Sequence, residues 1–206
     1  MTLKLSSLNA ITIYCGRSRP LVVSLSDGTE ITYKATDCLD WNWFSDNGFL
    51  DTTSTEDAWN WIKPIESVNV YSDIGEFAFD DCQTLLNVSL SENVKSIGES
   101  AFYKCFNLQS ISGLDNVVSL GDWAFDRCLV LELDHLPPNL VEMGKGAFAN
   151  CERLVGEIAI PMGITEIGEQ TFVNCTGLEK VTIHPGVASI GENAFEGCTS
   201  LNRIVF

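Results

Sequence analysis

The amino-acid sequence predicts an α/β solenoid, in which short coils stack and align their strands into a narrow parallel sheet. Two observations predict it. An apolar residue followed by glycine recurs at Ile74-Gly75, Ile97-Gly98, Leu120-Gly121, Met143-Gly144, Ile167-Gly168 and Ile190-Gly191, at intervals of 23, 23, 23, 24 and 23 residues. Behind each start, Phe follows at five positions (Phe79, Phe102, Phe125, Phe148, Phe172, Phe195), Cys at eight (Cys82, Cys105, Cys128, Cys151, Cys175, Cys198) and Leu at eleven (Leu85, Leu108, Leu131, Leu154, Leu178, Leu201). A unit this short cannot bury its own Phe, Leu and Ile, so successive units must stack to share one core.

Residues 1–64 lack the repeat and read as a capping region. Ala10 to Cys15 suits a strand. Pro20 to Leu25 and Glu30 to Lys34 flank Asp27-Gly28, a strong hairpin signal. Thr53 to Ile62 opens with a capping box, Thr53 and Glu56, and is closed by Pro64, which predicts a short helix entering the first coil. Residues 65–206 then form about six units. In each, the stretch from Ile-Gly to Cys is too short for a full helix and suits one helical or 3₁₀ turn with Ala and Phe facing inward. The segment after Leu alternates, as in Leu178-Glu179-Lys180-Val181-Thr182-Ile183, and reads as a strand with one buried face. Pro161, Pro185 and Gly186 turn the chain.

These residues resemble the BspA-like leucine-rich repeats, a 23-residue class with the pattern I-G-x-x-A-F-x-x-C-x-x-L-x-x-I-x-I-P. Ile167 to Pro185 follows it almost throughout, with Thr171 in the Ala slot, and the resemblance covers about Ile65 to Phe206. It implies a right-handed leucine-rich-repeat coil with a short parallel sheet, preceded by a small α+β cap. It also implies a bacterial surface or host-associated protein engaged in adhesion. The pattern encodes a scaffold, so none of its residues carries over as a functional site.

Three departures stand out. Asp134 occupies a slot that elsewhere holds a buried Val or Ile, which predicts a bulge or a shifted strand. The fourth unit carries one extra residue near Gly156. The last strand ends at Phe206 without a polar cap, leaving an end that is shielded or lies against a partner.

Twelve basic residues against 28 acidic ones give a net charge of −16, which repels a nucleic-acid backbone or an anionic membrane surface. No run approaches the roughly 18 apolar residues of a membrane span. Met1 to Gly16 holds one Lys and no continuous apolar stretch, so it does not read as a secretory signal, whereas the resemblance points to the cell surface or secretion.

Each candidate site has a structural reading beside the functional one. The six repeated cysteines are expected to stack as small buried hydrophobes, since zinc-type and redox pair spacings are absent. Cys15 and Cys38 make a disulfide pair only in an exported chain. The acidic residue after Ile-Gly (Glu76, Glu99, Asp122, Glu169 and Glu192, with Lys145 interrupting) is expected to favour the N–H groups of its turn rather than to hold Ca²⁺. Trp41, Trp43, Trp59 and Trp61, with Phe44 and Phe49, are expected to cap the first coil, although one ring of each Trp pair facing outward would make a sugar or protein platform. His135 and His184 lie two coils apart, and no nucleophile, phosphate-loop or metalloprotease motif accompanies them.

The expected function is therefore non-enzymatic recognition of a protein ligand, with no cofactor, metal, nucleic-acid partner or membrane insertion. Its face would comprise the outward strand residues Ser89, Ser112, His135, Ala159, Thr182 and Val205. The rival readings are a structural subunit of a surface or phage assembly, and a glycan-binding module built on the Trp-rich segment.

Overall fold

The computed structural model describes residues 11–13, 21–24, 30–33, 67–70, 73–83 and 85–206. Strands β1 (Ile11–Ile13), β2 (Leu21–Ser24) and β3 (Glu30–Tyr33) precede the repeats. β2 and β3 pair antiparallel, as the Asp-Gly signal predicts, and β1 pairs antiparallel with β2. The other edge of β1 runs parallel to β4 (Ser67–Val70), so the hairpin sheet continues into the solenoid. The expected helix at 53–62, the four clustered Trp residues and the pair Cys15 and Cys38 lie outside the described residues.

Six coils follow, beginning at Ile74, Ile97, Leu120, Met143, Ile167 and Ile190. Their main strands are β5 (Asn87–Leu90), β7 (Ser110–Ser112), β10 (Gly156–Ala159), β12 (Leu178–Thr182) and β14 (Arg203–Val205). Two-residue strands make the coil starts: β6 (Ser96–Ile97), β8 (Ser119–Leu120), β9 (Glu142–Met143), β11 (Glu166–Ile167) and β13 (Ser189–Ile190). The only helix among the described residues is a 3₁₀ turn at Leu114–Asn116.

The expected inward residues are inward. Ala78, Ala101, Ala124, Ala147 and Thr171 are buried, and each of Phe79, Phe102, Phe125, Phe148 and Phe172 is fully buried. The Phe rings form one stack, with successive centroids 5.2, 5.3, 5.6, 5.8 and 5.4 Å apart from Phe79 to Phe195 and planes within 12° of parallel. Thr171 keeps its hydroxyl satisfied in the Ala slot by donating to the Gly168 carbonyl at 2.9 Å.

The segment expected to be a helical turn differs. Positive φ recurs three and seven positions after every coil start: Phe77 and Asp81, Ser100 and Lys104, Trp123 and Arg127, Gly146 and Asn150, Gln170 and Asn174, Asn193 and Gly197. These left-handed residues stop a helix from propagating and aim alternate N–H groups along the solenoid axis. Phe77, Phe79 and Asp81 donate to the carbonyls of Glu99, Ala101 and Tyr103, and the same three bonds recur at each of the five junctions, down to Gln170, Phe172 and Asn174 onto Glu192, Ala194 and Glu196. Left-handed non-glycine residues cost about 1 kcal/mol or more each, which this ladder and the Phe stack offset.

The other two backbone ladders are interrupted. Between β7 and β10, residues 131–136 form no strand. Asp134 is exposed where Val88 and Ile111 are buried in the preceding coils, and Leu133 packs against the core instead. Burying an unpaired carboxylate would cost several kcal/mol, so Asp134 stays outside while half-buried Leu133 beside it keeps contact with the core. At Gly156, with φ 78°, the register between β10 and β12 shifts: Gly156 aligns with Leu178 and Glu157 with Lys180, so Glu179 of β12 has no opposite residue. β6, β8 and β9 pair in one short ladder and β11 and β13 in another, with no strand pairing between β9 and β11.

Candidate functional site

The outward residues of the main sheet fall into two blocks of different chemistry. In the first, Ser67, Asn87 and Ser110 align across β4, β5 and β7, as do Asn69, Ser89 and Ser112. Neighbours along these rows hydrogen-bond: the Ser110 hydroxyl donates to Asn87 Oδ1 at 2.8 Å, and Ser112 to the Ser89 hydroxyl at 3.3 Å. This block is a flat, polar, uncharged surface. In the second, Ala159, Thr182 and Val205 align across β10, β12 and β14 beside a charged row of Glu157, Lys180 and Arg203. Lys180 Nζ lies 2.6 Å from Glu157 Oε2.

His135, expected on this face with them, stands in the interrupted third coil and belongs to no strand. Its Nδ1 lies 3.0 Å from the Leu136 carbonyl, and its Nε2 is 3.8 Å from Asp115 Oδ1. His184 has both ring nitrogens engaged: Nδ1 accepts from Gly186 N–H at 3.1 Å, which places the proton on Nε2, 3.0 Å from the Pro161 carbonyl. Both histidines bond to backbone groups, His184 across a coil junction, and they lie two coils apart.

Between the two blocks, where the third-coil strand is missing, lies an open groove of about 520 Å³ lined by Glu132, Leu133, Asp134, Arg153, Val155 and Glu157. Arg153 pairs with Glu132 at 2.6 Å, and Val155 is 55% exposed. Sequence reasoning named no residue of this groove as a site. The signals were Asp134 in an apolar slot and the extra residue near Gly156, two irregularities one coil apart in the chain; the fold brings Asp134 and Gly156's neighbours Val155 and Glu157 to one depression.

The cysteine ladder has a definite role. Cys105, Cys128, Cys151, Cys175 and Cys198 each donate a thiol hydrogen bond to the carbonyl of the Phe one coil earlier, at 3.0–3.3 Å. Burial raises these thiols above their ordinary range, because a thiolate there would lose its hydration. Treated with N-ethylmaleimide in mild alkali, the folded chain should leave Cys105, Cys128, Cys151 and Cys175 unmodified while half-buried Cys198 is labelled. Peptide mapping by mass spectrometry checks this, and equal labelling of all five would show that the ladder is open.

The acidic residues after Ile-Gly are exposed at Glu76, Glu99, Asp122, Glu169 and Glu192, and Asp122 does not cap its own turn. Its Oδ1 accepts from the backbone N–H of Lys145, one coil on, at 2.8 Å, while Lys145 Nζ lies 2.8 Å from Glu169 Oε2. Asp122 and Glu169 thus link coils through Lys145. Among the described residues no three His, Cys, Asp or Glu side chains make a metal-ligand group.

On the turn side, Asp80 is pushed up to about 6 by burial and by repulsion from Asp81, with Lys104 opposing. A carboxyl raised in the folded state favours folding when protonated, so its ionisation weakens the fold as pH rises from about 4 through 6. Asp80→Asn should therefore stabilise the protein by on the order of 1 kcal/mol near neutrality, the gain shrinking toward about pH 4. Urea unfolding of both proteins across that window checks the sign, and a gain independent of pH would refute it.

The family model for the BspA-type leucine-rich repeat region matches residues 57–156 and 152–206 in six copies. The chain belongs to the BspA-type leucine-rich-repeat family. Among solved structures, this BspA-type chain is similar to the leucine-rich-repeat protein of T. pallidum, at 27% identity and a TM-score of 0.61, covering 68% of this chain and 66% of that one. It is also similar to a leucine-rich-repeat protein of Bacteroides ovatus, at 21% identity and a TM-score of 0.69, covering 99% of this chain and 50% of that one. The latter likeness concerns the fold alone. The chain thus spans between half and two-thirds of these relatives' lengths. No curated protein matches it. Among the described residues no helix is long and apolar enough to cross a membrane.

Proposed function

We propose that this BspA-type chain is a non-enzymatic recognition module whose main sheet docks a protein partner in adhesion. The observation that carries the reading is the in-register outward face of small side chains, Ser89 and Ser112 in one block and Ala159, Thr182 and Val205 in the other. Small residues let a partner approach the backbone closely over a broad area, so affinity arises from shape and many modest contacts. The division of labour belongs to the same proposal: residues 1–64 shield the first coil and residues 65–206 recognise. The parallel pairing of β1 with β4 supports that division.

A photo-crosslinking residue placed at Ser112 or Thr182, compared with one at Glu99 on the turn side, tests the reading in bacterial and host surface extracts. One partner protein crosslinked from both face positions and not from Glu99 is the expected result. Crosslinking that is equal from all three positions, or only to other copies of this chain, would overturn it. The second outcome would favour the structural-subunit reading.

A further inference from the structure

The geometry points to the groove at the third coil as the place where an extended, lysine- or arginine-bearing peptide segment of the partner pairs with the free edge of β10. The inference rests on the recognition reading above and adds the partner's chemistry and the site.

Three observations carry it. The first is an open strand edge inside the sheet. β10 pairs with β12 on one side. On the other side, residues 133–136 make no backbone hydrogen bond to it among the described residues, and the third-coil segment is tied instead to the second coil by Glu132 N–H donating to the Gln109 carbonyl at 3.1 Å. Ile160 N–H donates to the Thr182 carbonyl, so strand alternation turns the N–H and C=O groups of Ala159 and Glu157 to the third-coil side of β10, where Glu157 lines the groove. An exposed row of this kind is a template for a strand from another chain.

The second observation is shape. The depression of about 520 Å³ lies beside β10, where Leu133 of the third coil and exposed Val155 of the fourth line it as apolar footholds. The third is charge. Asp134, Glu132 and Glu157 line the groove against a single guanidinium, Arg153, which already pairs with Glu132. Glu157 is shared with Lys180, and Asp134 is exposed. A peptide whose alternate side chains are cationic would place them beside Asp134 and Glu157 while its backbone pairs with β10. The chain's net charge of −16 would speed its approach.

The test measures fluorescence anisotropy of a labelled nonapeptide of alternating lysine and threonine with the full chain. Three further ligands are compared: the same peptide with its threonine amides N-methylated, a glutamate-for-lysine version, and spermine as a competitor. We expect the lysine peptide to bind, and N-methylation to weaken it about tenfold or more through loss of backbone pairing. Asp134→Asn combined with Glu157→Gln should weaken binding by a similar factor, with Glu99→Gln inert. The double change Leu133→Asn and Asp134→Val restores the Asn-Val-Ser-Leu type of strand seen at β5, and should abolish binding without loss of thermal stability. Equal binding of the N-methylated peptide, full displacement by spermine, indifference to the groove variants, or no binding would each overturn the proposal. If the crosslinks from Ser112 and Thr182 persist in such a case, recognition by the sheet face stands and only the groove falls. Loss of both removes the recognition reading as well.

Discussion

Phe125→Ala is expected to lower the free energy of unfolding by about 3–5 kcal/mol, measured by urea denaturation followed by far-UV circular dichroism. Phe125 is fully buried, and its ring lies between Phe102 at 5.3 Å and Phe148 at 5.6 Å. Truncation therefore empties a slot at the centre of the stack and weakens two coil junctions at once. In a stacked-repeat protein each coil is held mainly by its neighbours, so both junctions contribute. The terminal ring is the internal control. Phe195 is only partly buried and stacks on Phe172 alone among the rings of the stack, so Phe195→Ala should cost about 1–2 kcal/mol. Equal losses at the two positions would show that the stack is not the continuous core described above.

The second large effect concerns coil spacing. A Cβ at Gly144 would lie 2.4 Å from both the Asp122 nitrogen and the Gly121 carbonyl carbon, which are backbone atoms of the preceding coil. Gly121 and Gly191 are as tight, with their nearest backbone atoms at 2.5 Å. Gly168 differs. Its Cβ would meet the Thr171 hydroxyl at 3.3 Å and the Lys145 backbone only at 3.6 Å. It lies at the junction where β9 and β11 do not pair, in the coil that follows the extra residue near Gly156. Gly144→Ala should thus destabilise by about 2–3 kcal/mol, since the coils must part to admit the methyl group. Gly168→Ala should stay within about 1 kcal/mol of the parent, because loss of unfolded-state freedom offsets a mild contact. Thermal melts of the two variants side by side decide the matter. A matching loss in both would mean that coil approach is not what requires glycine here.

Much of this architecture was legible in the residues. The Phe, Cys and Leu registers predicted an interior row each, and the Ala slot tolerated Thr171 because its hydroxyl found the Gly168 carbonyl. The alternation in Leu178 to Ile183 predicted β12, and the Asp27-Gly28 signal predicted the pairing of β2 with β3. Asp134 and the extra residue near Gly156 announced irregular strands at the right places. The conformation of the Ile-Gly to Cys segment was not legible. Left-handed positions there hold Phe77, Lys104, Trp123 and Gln170, none of which favours that region locally. The candidate face was half legible: small outward residues could be named, but their grouping into a polar block, a charged block and a groove could not.

The division has a physical origin. A side chain's preference for burial is its own property, so a fixed period of apolar residues suffices to specify a stacked interior, whatever the backbone does between them. The sign of φ at Lys104 or Trp123 is decided by partners a full coil away: Lys104 N–H reaches the Asp126 carbonyl, and Trp123 N–H reaches that of Lys145. Likewise, Asp134 by itself says only that it will not be buried. That Leu133 keeps the contact with the core, that the sheet opens there, and that Glu157 and Val155 line the opening follow only once the coils are stacked.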